Sequence, residues 1–219
     1  MYNNIHKLYT ESSNLLDKKE NLSFNFEKWK RNTSHNLLYI TGHSGSGKST
    51  LSEEIAKKHN AKIIEIDYLE WYVMDTEENN SNDDVRIRSI IHDFLDDNPD
   101  IKERVDNEWD GLTREEMGED ICTYIGYIKK YAYENQENLY IIEGLQIYEY
   151  LEGEELDDEP VIIKDTGALK AFYRRLKRDN GGEDLNLISF IKHLKNNLDL
   201  IPWYNHDRKL LNKFKKGLR

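Results

Sequence analysis

The chain has 219 residues and carries 31 Lys and Arg against 42 Asp and Glu, a net charge of −11 at pH 7. Hydrophobic residues make up 37%, with 14 Tyr, 4 Trp and 6 Phe. That is enough for one core of ordinary domain size, and it excludes global disorder.

No run approaches the roughly 20 apolar residues of a membrane helix. The opening MYNNIHKLYTESS lacks an apolar signal core, and the lone Cys122 excludes an internal disulfide framework or a Cys-rich zinc site. The expected setting is cytoplasmic, with no membrane partner. The acidic balance argues against generic duplex binding, whose affinity grows with the number of phosphates neutralised. Nucleic acid is therefore an admissible but not a favoured partner.

In chain order, residues 1–36 read as a helical or irregular extension, and 37–219 as the main domain. Leu37–Thr41 (LLYIT) is the first expected strand. Its continuous apolar character suits burial on both faces, as in a parallel sheet. Next comes Gly42-His43-Ser44-Gly45-Ser46-Gly47-Lys48-Ser49-Thr50, which fills the G-x-x-x-x-G-K-[ST] pattern in full. Glycines let backbone N–H groups turn around phosphate oxygens, and a following helix adds its dipole. In that pattern Lys48 bridges the β- and γ-phosphates and the Ser49 hydroxyl ligates Mg²⁺. His43, inside the loop, has no role of its own.

A helix is expected over Ser49–Asn60, then a second strand over Lys62–Asp67 (KIIEID). Asp67 at its end is placed to accept an acceptor hydroxyl's proton or to hold Mg²⁺ through water. The competing explanation is an N-cap for the helix YLEWYVM. Residues of about 72–138 form an insertion where an acceptor would bind, with Arg86 and Arg88 as candidates. Trp71, Tyr72 and Trp109 would stack on a base or sugar or, more simply, fill the core. The stretches Asp75–Asp84 and Glu152–Glu159 read as solvated acidic loops.

A helix over Glu115–Glu134 leads to a third strand, Leu139–Glu143 (LYIIE), followed by Gly144. Apolar residues ending in a carboxylate form the Walker B pattern, aiming Glu143 at the metal; the plain alternative is a surface Glu. A fourth strand, Val161–Lys164, precedes a helix over Gly167–Asp179. Arg174, Arg175 and Arg178 lie on it, with positions 174 and 178 on one face and 175 about 100° round. Such planar forks suit phosphoryl charge; the alternative is a solvated basic face. The following LNLISFIKHLKNNL looks helical, and no fifth strand is evident.

Among nucleotide-binding classes, a GTPase would want N-K-x-D, and Asn212-Lys213-Phe214-Lys215 lacks the Asp. Asp179-Asn180-Gly181-Gly182 matches D-x-x-G but follows a helix. No LSGGQ-like transporter signature occurs. A small-molecule or nucleic-acid kinase remains.

The chain resembles the nucleoside and nucleotide kinase group of P-loop proteins, and its later motifs are most similar to uridine kinases. The resemblance rests on GHSGSGKST, on the Asp in IIEIDYLEWY, on the Glu-Gly in YIIEGLQ, and on VIIKDTGALKAFYRRLKRD. It implies an α/β P-loop fold, a parallel sheet with helices on both faces and a helical acceptor and lid region, the lid over about 167–185. It further implies ATP and Mg²⁺, with Lys48, Asp67, Arg174 and Arg178 catalytic, Arg175 on the phosphates, and Ser49, Asp67 and Glu143 at the metal. The expected activity is phosphorylation of a hydroxyl on a nucleoside or related small molecule. Alternatives are a polynucleotide 5′-hydroxyl kinase, a toxin-type sugar-nucleotide kinase, or an ATPase switch that binds a partner.

Overall fold

The computed structural model describes residues 8–13, 36–72, 85–152, 156, 159–179, 188, 191–192, 195 and 200–217. Five parallel strands form one sheet: β1 (Leu8–Ser13), β2 (Leu37–Thr41), β3 (Ala61–Glu65), β4 (Leu139–Glu143) and β5 (Val161–Thr166), in spatial order β1-β5-β2-β4-β3. All five residues of β2 are buried, which explains its unbroken apolar sequence.

Alternate side chains of these strands feed two cores. On one face Leu38, Ile40, Ile63, Ile141 and Ile162 meet Leu51, Ile55 and Ala56 of α1 (Lys48–His59). After α2 (Asp67–Trp71), the other face takes α3 (Ser89–Asp97), α4 (Pro99–Asp106) and α5 (Arg114–Glu134), with Leu37, Tyr39, Ile64 and Ile142 against Ile90, Phe94, Tyr124, Ile125 and Ile128. Helices on both faces of a parallel sheet are the expected layering. Thr113 and Glu116 close a capping box at the start of α5. At its end, the Asn36 amide donates to the carbonyls of Ala132, Asn135 and Asn138, tying α5 to the entry of β2.

Three elements depart from the sequence expectation. The second strand stops at Glu65, because the Ile66 N–H bonds the Glu143 carbonyl and the chain then turns directly into α2. A fifth strand exists and comes from the N-terminal stretch: Leu8–Ser13 pairs with Val161–Thr166, so this part of 1–36 is neither helical nor irregular. LYTESS has half-polar content and no continuous apolar run; the open edge of β5 makes it a strand. Within the second acidic stretch, Leu156 and Glu159 are buried, where a solvated loop was expected. Asp75–Asp84 and nearly all of LNLISFIKHLKNNL lie outside the described residues.

The short α6 (Gln146–Tyr150) follows β4, α7 (Ala168–Asp179) follows β5, and α8 is Leu200–Gly217. Tyr204, Asp207, Leu211 and Phe214 are buried along one side of α8. Among the described residues, no helix is long and apolar enough to cross a membrane.

Four of the candidate insertion residues make contacts within the fold. The Arg86 guanidinium meets Glu65 and, at 2.8 Å, Glu53, locking α1 to β3. Arg88 lies over the Tyr68 ring at 5.0 Å. Trp109 donates to Asp120 at 3.1 Å, a carboxylate that Arg104 also grips twice. Tyr72 meets His92 edge-on.

Candidate phosphate-binding site

Register brings the candidate residues to one end of the sheet. Ile40 and Glu65 both pair with Glu143, so the C-terminal ends of β2, β3 and β4 are level. Ligands of open parallel sheets bind at that end.

From β2 the chain enters the loop 42–47 and leaves it as α1, with Gly47 in the left-handed region as cap residue. The glycines are required by crowding as well as by φ. A Cβ on Gly42 (φ +155) would lie 2.3 Å from the Lys164 carbonyl oxygen, and one on Gly45 (φ +75) 2.3 Å from that of Ala171. No side chain fits at such separations. The loop is also held from outside. The Ser46 carbonyl accepts from Thr166 Oγ1 and from Arg174 Nη1, each at 2.9 Å, and the Ser44 carbonyl accepts from the Tyr204 hydroxyl at 3.3 Å.

At the mouth, Lys48 is 8% exposed and its Nζ stands 3.5 Å from Asp67 Oδ2. Asp67 Oδ1 accepts from the Leu145 N–H at 3.2 Å. Ile66 is the cap residue of α2 and no side chain caps that helix, so the Asp67 carboxylate is free of N-cap duty. Ser49 Oγ donates to Glu143 Oε1 at 2.5 Å, while Glu143 Oε2, in a residue only 2% exposed, has no hydrogen-bond partner. An unsatisfied buried carboxylate oxygen beside a serine hydroxyl fits a Mg²⁺ site, since Mg²⁺ takes one or two protein oxygens and completes its shell with phosphates and water. Gly144 supplies the close approach: a Cβ there would sit 3.0 Å from Ile66 Cβ.

The three arginines separate. Arg174 reaches the loop; Arg175 places its guanidinium over the Trp203 ring at 5.1 Å; Arg178 is exposed near the end of α7. His43 is buried edge-on to Tyr148, and burial lowers its pKa. Thr50 is exposed on α1.

This division predicts distinct kinetics. Arg174→Ala is expected to lower kcat and kcat/KM together by about 10–10³-fold, the scale of one lost preorganised charge contact. Arg175→Ala should act mainly on melting temperature, through lost stacking on Trp203, and Arg178→Ala should stay within about threefold of wild type, as removal of an exposed, unburied charge does. Steady-state turnover of the three variants checks this. Equal behaviour of all three within twofold would make α7 a plain basic face.

Sequence reasoning missed several neighbours. Lys164 is 8% exposed, with its Cε 3.9 Å from where a Gly47 Cβ would stand. Tyr148, Glu149 and Asp207, from α6 and α8, gather near Asp67 and Glu70. Nothing in the string QIYEY marks them; α8 brings Asp207 there from 58 residues beyond Glu149.

The family model described as Nephrocystin 3, N-terminal, matches residues 22–142, more than half of the chain. No curated protein matches.

Proposed function

The chain belongs to the Nephrocystin 3, N-terminal, family, and we propose that within it this protein is a P-loop kinase: an ATP–Mg²⁺-dependent phosphotransferase acting on a hydroxyl of a nucleoside or related small molecule. The observation that carries this reading is the meeting of four groups at one sheet end. They are Lys48 at the loop mouth, Asp67 3.5 Å from it, Ser49, and the half-satisfied Glu143. Magnesium there would neutralise phosphate charge. Lys48 holds the phosphates; Ser49 and Glu143 hold the metal, with Asp67 within reach of it through water. Asp67 also orients the acceptor hydroxyl and takes its proton. Arg174, beside the loop, steadies the transferring group. Positioning and electrostatics account for most of such a reaction. The resemblance to uridine kinases supports the same assignment, and a cytoplasmic setting suits it.

Adding acceptors to the protein with ATP and Mg²⁺ tests the reading. Turnover should rise with at least one member of a panel of nucleosides, sugars and amino alcohols. A flat response to the panel and to a 5′-hydroxyl oligonucleotide would favour an ATPase switch instead.

A further inference from the structure

Beside Asp67 lies a second group that the phosphoryl donor does not explain. Glu70 comes from α2, Tyr148 and Glu149 from α6, and Asp207 from α8. Asp207 is fully buried, and among the described residues only the Tyr148 hydroxyl addresses its carboxylate, whose two oxygens are left short of donors. The Tyr148 hydroxyl, in a residue 3% exposed, faces that carboxylate, and one O–H cannot satisfy both of its oxygens. Gln146 Nε2 donates to Glu70 at 2.9 Å, leaving a buried amide oxygen without a donor. Glu70 is exposed, so the group reaches the surface on that side.

The cations facing this group do not complete it. Arg114 reaches Glu149 Oε2 at 3.4 Å and is half exposed, with the His206 ring 3.3 Å away. Arg175 lies over Trp203, and Lys48 belongs to the phosphates in the reading above. None gives Asp207 a hydrogen bond. Burial raises the Asp207 carboxyl, and burial also pushes Glu149 up to about 7 despite Arg114. The unsatisfied atoms are almost all acceptors, so the missing occupant is a donor. No three of the described His, Cys, Asp and Glu side chains are arranged to hold a metal ion, which points to an organic cation.

We propose that Asp207, Glu149, Glu70 and Tyr148 form the acceptor subsite, and that it selects a hydroxyl compound bearing a protonated amine, such as an amino sugar. This rests on the kinase reading and narrows its acceptor. The subsite's three carboxylates, with Asp67 beside them, repel a phosphate-bearing acceptor, whereas an ammonium supplies charge-assisted donors to the unsatisfied oxygens. Asp67, level with this subsite and beside Lys48, is placed to take the proton of the acceptor hydroxyl.

The test is calorimetric binding with a non-hydrolysable ATP analogue and Mg²⁺ present. Glucosamine and kanamycin are compared with glucose, uridine and uridine 5′-monophosphate. At least one amine should bind ten times more tightly than every uncharged or phosphorylated member. That preference should fall about tenfold in Glu149→Gln and in Asp207→Asn, with analogue affinity retained. In wild type it should weaken as pH falls from 7, where Glu149 loses its charge while the amine stays protonated, and Glu149→Gln should flatten this slope. Equal or tighter binding of uridine 5′-monophosphate, no amine binding, or amine binding unchanged in Glu149→Gln would overturn the proposal even if Asp207→Asn fails to fold. Loss of analogue binding in the wild type would instead overturn the kinase reading itself.

Discussion

Lys48→Ala is expected to reduce ATP turnover at least about 10³-fold, to the limit of detection. Lys48 sits at the first turn of α1, and among the described residues its ammonium pairs with the Asp67 carboxylate at 3.5 Å. In the kinase reading its value lies in the charge it presents to phosphate. Asp67 keeps 32% of its side chain exposed, and water can therefore replace the lost partner at little cost. The melting temperature should shift by no more than a few degrees. Calorimetry and an ATPase assay on the same preparation separate the two effects. Undiminished turnover in the folded variant would remove the phosphate-loop assignment.

A second large effect is expected at Asp67. In Asp67→Asn the amide oxygen can still accept from the Leu145 N–H, so the local fold survives. What disappears is the charge, and with it the ability to take a proton. Phosphoryl transfer should drop about 10²-fold or more, the scale of a lost general base, while ATP affinity stays within a few-fold. Affinity may be measured with a fluorescent analogue and transfer by single turnover. If melting temperature fell and activity per folded molecule did not, Asp67 would be a structural residue.

The parts legible in the sequence are those whose information is local. LLYIT, LYIIE and VIIK announce buried parallel strands by unbroken apolar runs, and the loop announces itself by glycine spacing. Glu143 could be placed at a strand end for the same reason, whereas Asp67, expected there too, opens α2 two residues beyond the strand. What was illegible depends on partners far along the chain. LYTESS becomes a strand only because β5 offers an unpaired edge. Asp207 becomes a buried acid only because α8 packs against α6. Arg86, which looked like an acceptor residue, is claimed by two glutamates on α1 and β3. The split among Arg174, Arg175 and Arg178 likewise follows from Trp203 and the Ser46 carbonyl, neither of which the helix itself encodes.

The position of β2 in the sheet has a further consequence for how the chain can be divided. β2 is hydrogen-bonded on one side to β4 and on the other to β5, with Tyr39, Ile40 and Thr41 opposite Val161, Ile162 and Ile163. The family-matched span ends at Ile142, one residue short of Glu143 and well before β5. Cut there, the strand that carries the phosphate loop would become a bare edge, four apolar residues and a threonine with N–H and C=O groups unpaired on the β5 side. Such edges recruit other chains. The excised segment would be prone to aggregate, and β5, which follows residue 142, is what covers that edge of the central strand.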